Sequence, residues 1–286
     1  MKQHKLKYPV EMMSKILDVS KSGYYNWLKS GPSDRWLENR KIIEDIFEES
    51  HQSYGSPRMA VELKKRGYKV SRPRAARMMK ALGVEARRTR KFKNTTDSNH
   101  KYPVSPNLLN QNFSVKRRDQ VWVSDITYIE TTNGWVYLTV IIDLFDRKVI
   151  GWSLSEDMTT ENTIIKAWYA AVENRPINKK LIFHSDRGSQ YASTTFRNIL
   201  KSYNKHVKQS MSRKGNCWDN AVAESFFKSL KVEWIYKNHY NVYSDAEISI
   251  FKWIETWYNR NRRHSALNYK TINELELEIH NQKLAA

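Results

Sequence analysis

Three acidic side chains stand at positions where a carboxylate can do chemistry. Asp125 interrupts the apolar stretch VWVSDITYIE, Asp186 comes directly after LIFHS, and Glu224 lies within DNAVAESFFKSLK. A carboxylate in an apolar strand costs free energy unless it is paired or bound to a metal. Carboxylates are ligands of Mg²⁺, and two such ions about 4 Å apart can activate a water or a 3′-hydroxyl at a phosphodiester. The three residues therefore indicate metal-dependent chemistry on a phosphodiester.

Four other residues compete for a place in such a site. Asp146 is typical of a hairpin turn, whereas Asp143, near the end of a predicted strand, could support the carboxylates from behind. His184 could touch a metal or DNA, although a structural histidine is the commoner case. Cys217 could be imagined as a nucleophile, but a small packing residue fits better. No set of Cys and His residues has zinc spacing, so a structural zinc is not expected.

The order of predicted elements explains how the three carboxylates could meet. VWVSDITYIE, GWVYLTVIIDLF and KVIGWSLSE are predicted strands, and the turn signals between them predict an antiparallel meander. A helix, the strand KLIFHSD, a second helix, a short strand HVKQSMS and a long helix follow. This is the α/β order of a ribonuclease H-like core, a mixed five-stranded sheet with helices on both faces. In it, strands one and four are neighbours and the last helix crosses their face.

The front half of the chain is predicted to be all-α. PVEMMSKIL and DVSKSGYYNWLKSG have the lengths of a helix-turn-helix pair. WLENRKIIEDIFEES is an amphipathic helix. A further helix ends at Gly67, and another begins after Ser71 and ends at Gly83. We therefore expect a helix-turn-helix segment at 1–33, a second helix-turn-helix-like module at 34–85, a basic linker at 86–119, the catalytic core at 120–240 and a C-terminal helical extension at 241–286.

Charge and composition favour a nucleic-acid partner. The formal net charge is +19, and most of the excess lies in residues 1–119. A basic front half indicates a part that binds a polyanion, and the alternative is a basic surface kept for solubility. The linker either wraps DNA or is simply flexible. A single cysteine excludes an internal disulfide and fits a reducing cytosol. No apolar run of about 18 residues is present, so no membrane partner is expected.

Several linked motifs resemble one family. WVSDITYI, HSDRGSQY and QSMSRKGNCWDNAVAESFFKSLK closely resemble the integrase core of the insertion sequence three family of bacterial transposases, and in particular its second reading-frame (OrfB) product. The resemblance implies a DDE triad of Asp125, Asp186 and Glu224 that holds two Mg²⁺ ions, for which Mn²⁺ can substitute. It also implies that Lys231 contacts DNA. Lys231 lies seven residues after Glu224, which is two helical turns along the same face.

Further DNA contacts are predicted from the basic and aromatic residues around these motifs. Trp218 could stack on an unpaired base or anchor its loop, and the two are about equally supported. Basic residues on the helix after Ser71 could contact phosphates or form a solvated face. The full set of expected contacts is Lys231, Lys228, Arg187, Arg213, Lys214, Trp218, Asn220, Arg72, Arg74, Arg77, Arg262 and Arg263.

The leading hypothesis is an insertion-sequence transposase. It would bind the terminal inverted repeats of its element and catalyse Mg²⁺-dependent cleavage and strand transfer of double-stranded DNA. The resemblance implies a homo-oligomer on DNA, an upstream reading-frame product or fusion as a partner, and a place in the bacterial cytoplasm at the nucleoid. The alternatives are a non-catalytic DNA-binding regulator of transposition and, with less support, a ribonuclease H-like nuclease acting on RNA–DNA hybrids.

Overall fold

The chain forms two compact units. The computed structural model describes residues 1–30, 34–86, 102–203 and 206–284. Residues 1–50 and 54–85 form a helical unit, and residues 51–53 and 86–286 form a core unit. No helix in these described ranges is long and apolar enough to cross a membrane.

The helical unit contains the helices that the front half predicts. They are α1 (Val10–Ile16), α2 (Lys21–Lys29), α3 (Asp34–Glu49), α4 (Ser56–Lys65) and α5 (Arg72–Ala81). Ser20 caps α2, since its hydroxyl accepts a hydrogen bond from Gly23 N. Ser71 stands at the N-cap of α5, but contrary to expectation its hydroxyl caps no helix N–H. The buried side chains of this unit include Ile43, Ile46, Met59, Leu63, Ala75 and Met79.

The core unit is built on the mixed sheet that the sequence predicts. Its strands are β1 (Val121–Thr131), β2 (Gly134–Asp143), β3 (Val149–Ser155), β4 (Leu181–Ser185) and β5 (Val207–Met211), in the order β3-β2-β1-β4-β5. The first three strands pair antiparallel, whereas β4 is parallel to both β1 and β5. The meander and the pairing of strands one and four are confirmed.

Helices cover both faces of the sheet. One face carries α6 (Lys166–Asn174), α7 (Ser189–Ala192) and α8 (Thr194–Ser202), and the chain enters α6 through a π-helical turn at Glu161–Ile165. The other face carries α9 (Ala221–Glu233) and α10 (Tyr243–Phe251). Side chains alternate along β1. Trp122 therefore packs in the core on the α6 face, while Val121 and Val123 pack in the core on the α9 face. The ribonuclease H-like fold is therefore confirmed, and the short α7 is an element that the sequence did not predict.

The stretch DAEISIFKWIETWYNRNRRH of the C-terminal extension predicts a helix up to His264, but the helix in the structure is shorter. After α10 the helix continues as a π-helical segment, Lys252–Tyr258, and stops there. The last helix, α11, spans Ile272–Leu284. The extension is helical, as predicted, but the basic cluster after Tyr258 does not form an exposed helix end.

Part of the predicted linker at 86–119 belongs to the core unit. Residues 87–101 lie outside the described residues, but Leu109 is only 4% exposed. Leu108 N donates to Ser210 Oγ at 2.8 Å, and Asp119 N donates to Asp143 Oδ2 at 2.8 Å. The segment from about 105 to 119 is therefore fastened to β5 and to the end of β2.

Gly151 sets the distance between β3 and α6. A Cβ atom at this position would lie 2.3 Å from Ala167 O and 2.6 Å from Ala171 N, both main-chain atoms of α6. Main-chain atoms cannot move aside as a flexible side chain can, so only glycine lets this helix approach the sheet so closely.

A buried ion network joins the end of β2 to α6 and the C-terminal extension. Asp143 and Asp146 are fully buried, and Arg175 binds both, with Nη1 and Nη2 each 2.6 Å from a carboxylate oxygen. Arg118 adds a second cation, 2.9 Å from Asp146 and 3.2 Å from Glu276 of α11. Asp143 therefore does not support the three candidate carboxylates, as considered from the sequence, but belongs to this separate ion network.

Arg175→Ala should destabilise the core unit, and more so at pH 7.5 than at pH 5. Burial and the charge of Asp146 raise the pKa of Asp143 to about 6, and Arg175 opposes that rise. Below this pKa, Asp143 is protonated and depends less on Arg175; above it, two buried carboxylates lose their shared cation. We expect a loss of about 3 kcal/mol in the free energy of unfolding at pH 7.5, measured by urea denaturation.

The control for this experiment is Arg260→Ala, because Arg260 is exposed on the same unit. Its replacement should change stability by less than about 0.5 kcal/mol. An equal loss for Arg175→Ala at both pH values would contradict the role assigned to the ion network.

Candidate active site

The register of two parallel strands brings two of the predicted carboxylates to the same level. The last registered pair between β1 and β4 is Val123 with His184. Two residues further along each strand direction come Asp125, inside β1, and Asp186, directly after β4. Because side chains two residues apart share a face, Asp125 lies on the same side of the sheet as Val121 and Val123, which is the side covered by α9.

The carboxylate of Asp186 is held by the turn that follows it. Gly188 N donates to Asp186 Oδ1 at 2.9 Å. A Cβ atom on Gly188 would lie 3.1 Å from that same oxygen and 3.3 Å from Gln190 Oε1. The φ of Gly188 is −56°, so the need for glycine here is spatial: it leaves room for the carboxylate and gives that carboxylate a main-chain donor.

The third carboxylate comes from the first turn of α9. Glu224 is exposed, while its neighbours Ala223, Phe226 and Phe227 are buried and fix the helix on the sheet. Lys231 is partly buried further along α9, with Nζ 5.9 Å from the centre of the Tyr128 ring. The structure thus places Glu224 and Lys231 on the helix that covers β1.

The charges of these side chains act on one another. Burial raises the pKa of Asp125 well above its usual range, and the negative charges of Asp186 and Glu224 raise it further. Lys231 acts in the opposite direction on Asp125, while burial lowers the pKa of Lys231 itself. Although Glu224 is exposed, desolvation by the surrounding protein raises its pKa as well. The arrangement gathers like charges and is costly without a cation.

The three carboxylates suit a hard divalent ion, although they do not converge closely enough in this structure to form a complete set of ligands. Within the described residues, no three His, Cys, Asp or Glu side chains form a group that could already hold a metal. Three carboxylates are nonetheless the ligand chemistry of Mg²⁺ and Mn²⁺. Burial and, after it, repulsion from Asp186 and Glu224 raise the pKa of Asp125, and a bound cation would relieve both effects.

One residue beneath the carboxylates was not identified from the sequence. Tyr191 is 1% exposed, and its hydroxyl lies 2.9 Å from Ser124 Oγ. Burial, followed by the charges of Asp125 and Asp186, raises the pKa of this phenol well above its usual range. Tyr191 therefore stays neutral below the site. Its position at the end of HSDRGSQY was the only available signal.

Asp219 organises the loop before α9 and was likewise missed. It is fully buried and accepts hydrogen bonds from Arg213 N, Nε and Nη2, from Asn107 Nδ2 and from Gln111 Nε2, all between 2.7 and 2.9 Å. The hydrogen bond from the Arg213 side chain holds the pKa of Asp219 well below its usual range. Three of these donors come from one residue six positions away, and the other two come from the segment entering the core.

His184 has a structural environment. It is fully buried, with Nδ1 2.8 Å from Ser210 Oγ and Nε2 3.3 Å from Ser212 Oγ. Burial lowers its pKa to about 4, so the ring is neutral near pH 7. The side chain of Cys217 lies outside the described part of the structure, and its packing role stays a prediction.

Several of the predicted DNA-contacting residues of the core unit are accessible to solvent. Lys214, Trp218 and Lys228 are exposed, Trp218 by 72%. Arg213 is half-exposed although it is paired with Asp219. Arg187 is partly buried and donates from Nε to Ser212 O at 2.6 Å. In the helical unit, Arg72, Arg74 and Arg77 are exposed on α5.

Three residues of the predicted DNA-contacting set are buried instead. Arg262 is bound by Glu233 through two hydrogen bonds of 2.6 and 2.8 Å, because the chain folds back from Tyr258 onto α9. Arg263 donates to Tyr269 O and to Glu274. Asn220 is 4% exposed. None of the three offers its polar group to a DNA surface here, so we do not retain DNA contact for them.

Sequence comparisons assign the same regions to known domain types. Residues 115–217 and 205–271 match two family models that are each described as an integrase core domain. Residues 34–92 match the model of an HTH-like domain. The integrase matches span all five strands and α9, and the HTH-like match includes α3, α4 and α5.

Full-length relatives are similar along most of the chain. The "Insertion element IS600 uncharacterized 31 kDa protein" of Shigella sonnei is 42% identical over 89% of this chain and 94% of that protein. The "Transposase InsF for insertion sequence IS3A" of Escherichia coli (strain K12) is 38% identical over 92% of each chain. Among solved structures, the HTLV-2 integrase catalytic core domain in complex with magnesium is 21% identical and covers 54% of this chain and 94% of that one, with a TM-score of 0.39.

Asp186→Asn should stabilise the core unit in the absence of divalent ions. The amide keeps an oxygen that can accept from Gly188 N but removes one of the like charges near Asp125. We expect a gain of about 1 kcal/mol in the free energy of unfolding, measured by urea denaturation with a chelator present. Glu130→Gln is the control, since it removes a charge from an exposed position of β1, the strand that carries Asp125. A less stable Asp186→Asn protein would show that the carboxylate has a structural role.

Proposed function

Since the chain belongs to the insertion sequence three (IS3) family of transposases and carries an integrase core, we propose that Asp125, Asp186 and Glu224 are its catalytic carboxylates. The observation that carries the proposal is the parallel register of β1 and β4, which brings Asp125 and Asp186 to one level under the helix that bears Glu224. The mutual effect of the three charges on the pKa of Asp125 supports it.

Asp125, Asp186 and Glu224 would hold two divalent metal ions, Mg²⁺ or Mn²⁺. Such ions, when bound, activate an oxygen nucleophile and stabilise the leaving oxygen at a phosphodiester. The chain's own contribution is to keep the ligands in place. Gly188 N orients the Asp186 carboxylate, and Lys231 places a positive charge beside Asp125.

The proposed reaction is phosphoryl transfer in two steps at the end of a mobile element. In the first step, water attacks a phosphodiester, a new P–O bond replaces the old one, and the strand is released with a 3′-hydroxyl. In the second step, that hydroxyl attacks a phosphodiester of target DNA, so one P–O bond forms as another breaks. The first step is a hydrolysis that leaves a 3′-hydroxyl and a 5′-phosphate, and the second exchanges one phosphodiester for another, so neither step needs an oxidant or an external energy source.

Exposed basic and aromatic residues would hold the DNA. Lys228 and Lys231 follow Glu224 along α9, and Lys214 and Trp218 lie in the loop before it. Arg72, Arg74 and Arg77 of α5 would contact the phosphates of the terminal inverted repeats. We further propose that the protein acts as a homo-oligomer on DNA in the bacterial cytoplasm, with an upstream reading-frame product or fusion partner assisting end recognition.

Asp186→Asn should abolish cleavage and strand transfer while leaving DNA affinity in place. The substitution removes a proposed metal ligand but none of the basic residues that would bind phosphates. The measurement is single-turnover cleavage and joining of end-containing DNA with Mg²⁺ or Mn²⁺, with and without the upstream product. Glu130→Gln serves as the matched control and should retain activity.

Two outcomes would contradict this function. If the folded wild-type protein neither cleaves nor joins DNA under any of these conditions, the catalytic proposal fails. If Asp186→Asn keeps both DNA binding and the biological effect, a non-catalytic regulator of transposition is the correct function.

Arg77→Ala should weaken DNA binding and make it less dependent on salt. Each lost phosphate contact lowers the slope of log K against log salt concentration by about 0.9. The control is Arg66→Ala, because Arg66 is already neutralised by Glu49 and Glu62 of the same unit. Equal salt slopes for Arg77→Ala and the wild type, measured by fluorescence anisotropy, would remove Arg77 from the DNA interface.

A further inference from the structure

Asn220 occupies a helix cap position but does not cap the helix. It directly precedes Ala221, the first residue of α9, and asparagine is a preferred residue there because its side-chain oxygen can accept a helix N–H. No such hydrogen bond is present. Instead, Asn220 Nδ2 donates across to the main-chain oxygen of Ser124 at 3.0 Å.

The acceptor of this hydrogen bond lies beside the catalytic strand position. Ser124 immediately precedes Asp125, and the registered pairing of β1 with β4 ends one residue earlier, at Val123. Asn220 therefore supplies a donor to β1 just beyond the point where β4 stops doing so. Its side chain is 4% exposed, which leaves it no surface for a DNA contact.

The residue before Asn220 is also fixed by hydrogen bonds. Asp219 accepts hydrogen bonds from Arg213, Asn107 and Gln111, as described above. The start of α9 is thus held by hydrogen bonds both to the loop and the incoming segment and to β1. These hydrogen bonds leave it little freedom to shift along the sheet.

These hydrogen bonds at the start of α9 also fix the position of Glu224. Glu224 comes four residues after Asn220, which is about one helical turn, or about 5.4 Å of rise. Any translation or rotation of the first turn of α9 relative to β1 changes the separation between the Glu224 and Asp125 carboxylates directly. The hydrogen bond from Asn220 is a side-chain link between these two elements at that turn.

We propose that Asn220 is a positioning residue, which ties the first turn of α9 to β1 and so sets the spacing of the Glu224 and Asp125 carboxylates. The proposal rests on the function proposed above, because the spacing matters only if the two carboxylates act together. It replaces the sequence-based prediction that Asn220 contacts DNA.

The test compares Asn220→Ala and Asn220→Leu with the wild type. Leucine keeps most of the side-chain volume while removing the donor. Three quantities are measured: the single-turnover cleavage rate constant at saturating end DNA with Mg²⁺, the Kd for that DNA without divalent metal, and the affinity for Mn²⁺ alone by electron paramagnetic resonance. We expect the rate constant and the Mn²⁺ affinity to fall by about 10–100-fold, with an unchanged Kd for DNA.

Asn238→Ala is the matched control. Asn238 donates the same kind of hydrogen bond, from Nδ2 to the main-chain oxygen of Trp234 at 2.8 Å, but it is exposed and lies beyond the end of α9. All three quantities should keep their wild-type values in this variant.

Several results would overturn the proposal. A weakened Kd for DNA with a normal rate constant at saturation would make Asn220 a DNA contact, and wild-type values throughout would give it no role. Loss of the folded circular-dichroism spectrum in both variants would make it a residue of general stability. Failure of the proposed function is a separate result, since it appears as a wild-type protein that does not cleave, and the Mn²⁺ comparison still decides the role of Asn220.

Discussion

The candidate active site depends on the parallel pairing of β1 with β4. The strands run in the same direction, and Val123 is registered with His184, so Asp125 and Asp186 fall side by side. A shift of either strand by one residue would turn its side chains to the opposite face of the sheet and separate the carboxylates. The buried residues of both strands fix that register, because a shift would expose them.

Two groups of carboxylates in the same sheet show how differently the protein treats negative charge. Asp143 and Asp146 are fully buried and receive Arg175 and Arg118, so the chain itself supplies their cations. At Asp125, by contrast, burial and two neighbouring carboxylates raise the pKa, with Lys231 as the opposing charge that acts on it. A pair of carboxylates that arginines neutralise suits a structural role. A group left with excess negative charge suits the binding of cations from solution.

The sequence predicted the fold well because local patterns determine it. Alternating apolar residues and turn signals identified the strands, and the strand order placed Asp125, Asp186 and Glu224 together. The errors involve partners distant in the chain. Arg262 resembles an exposed basic residue until Glu233, from α9, is seen to bind it. The acceptor of Asn220, which precedes α9, is a buried main-chain oxygen of β1. Composition and spacing carry no signal for such pairs.

The short pairing between β1 and β4 has a consequence for the molecule in solution. β1 continues to Thr131, but in the described residues no strand pairs with it on the β4 side beyond Val123. Open strand edges are templates on which other chains can add and aggregate. Asp125, the exposed Glu130 and the ammonium group of Lys231 place charges along this stretch. These charges therefore discourage a polypeptide strand from docking along this edge.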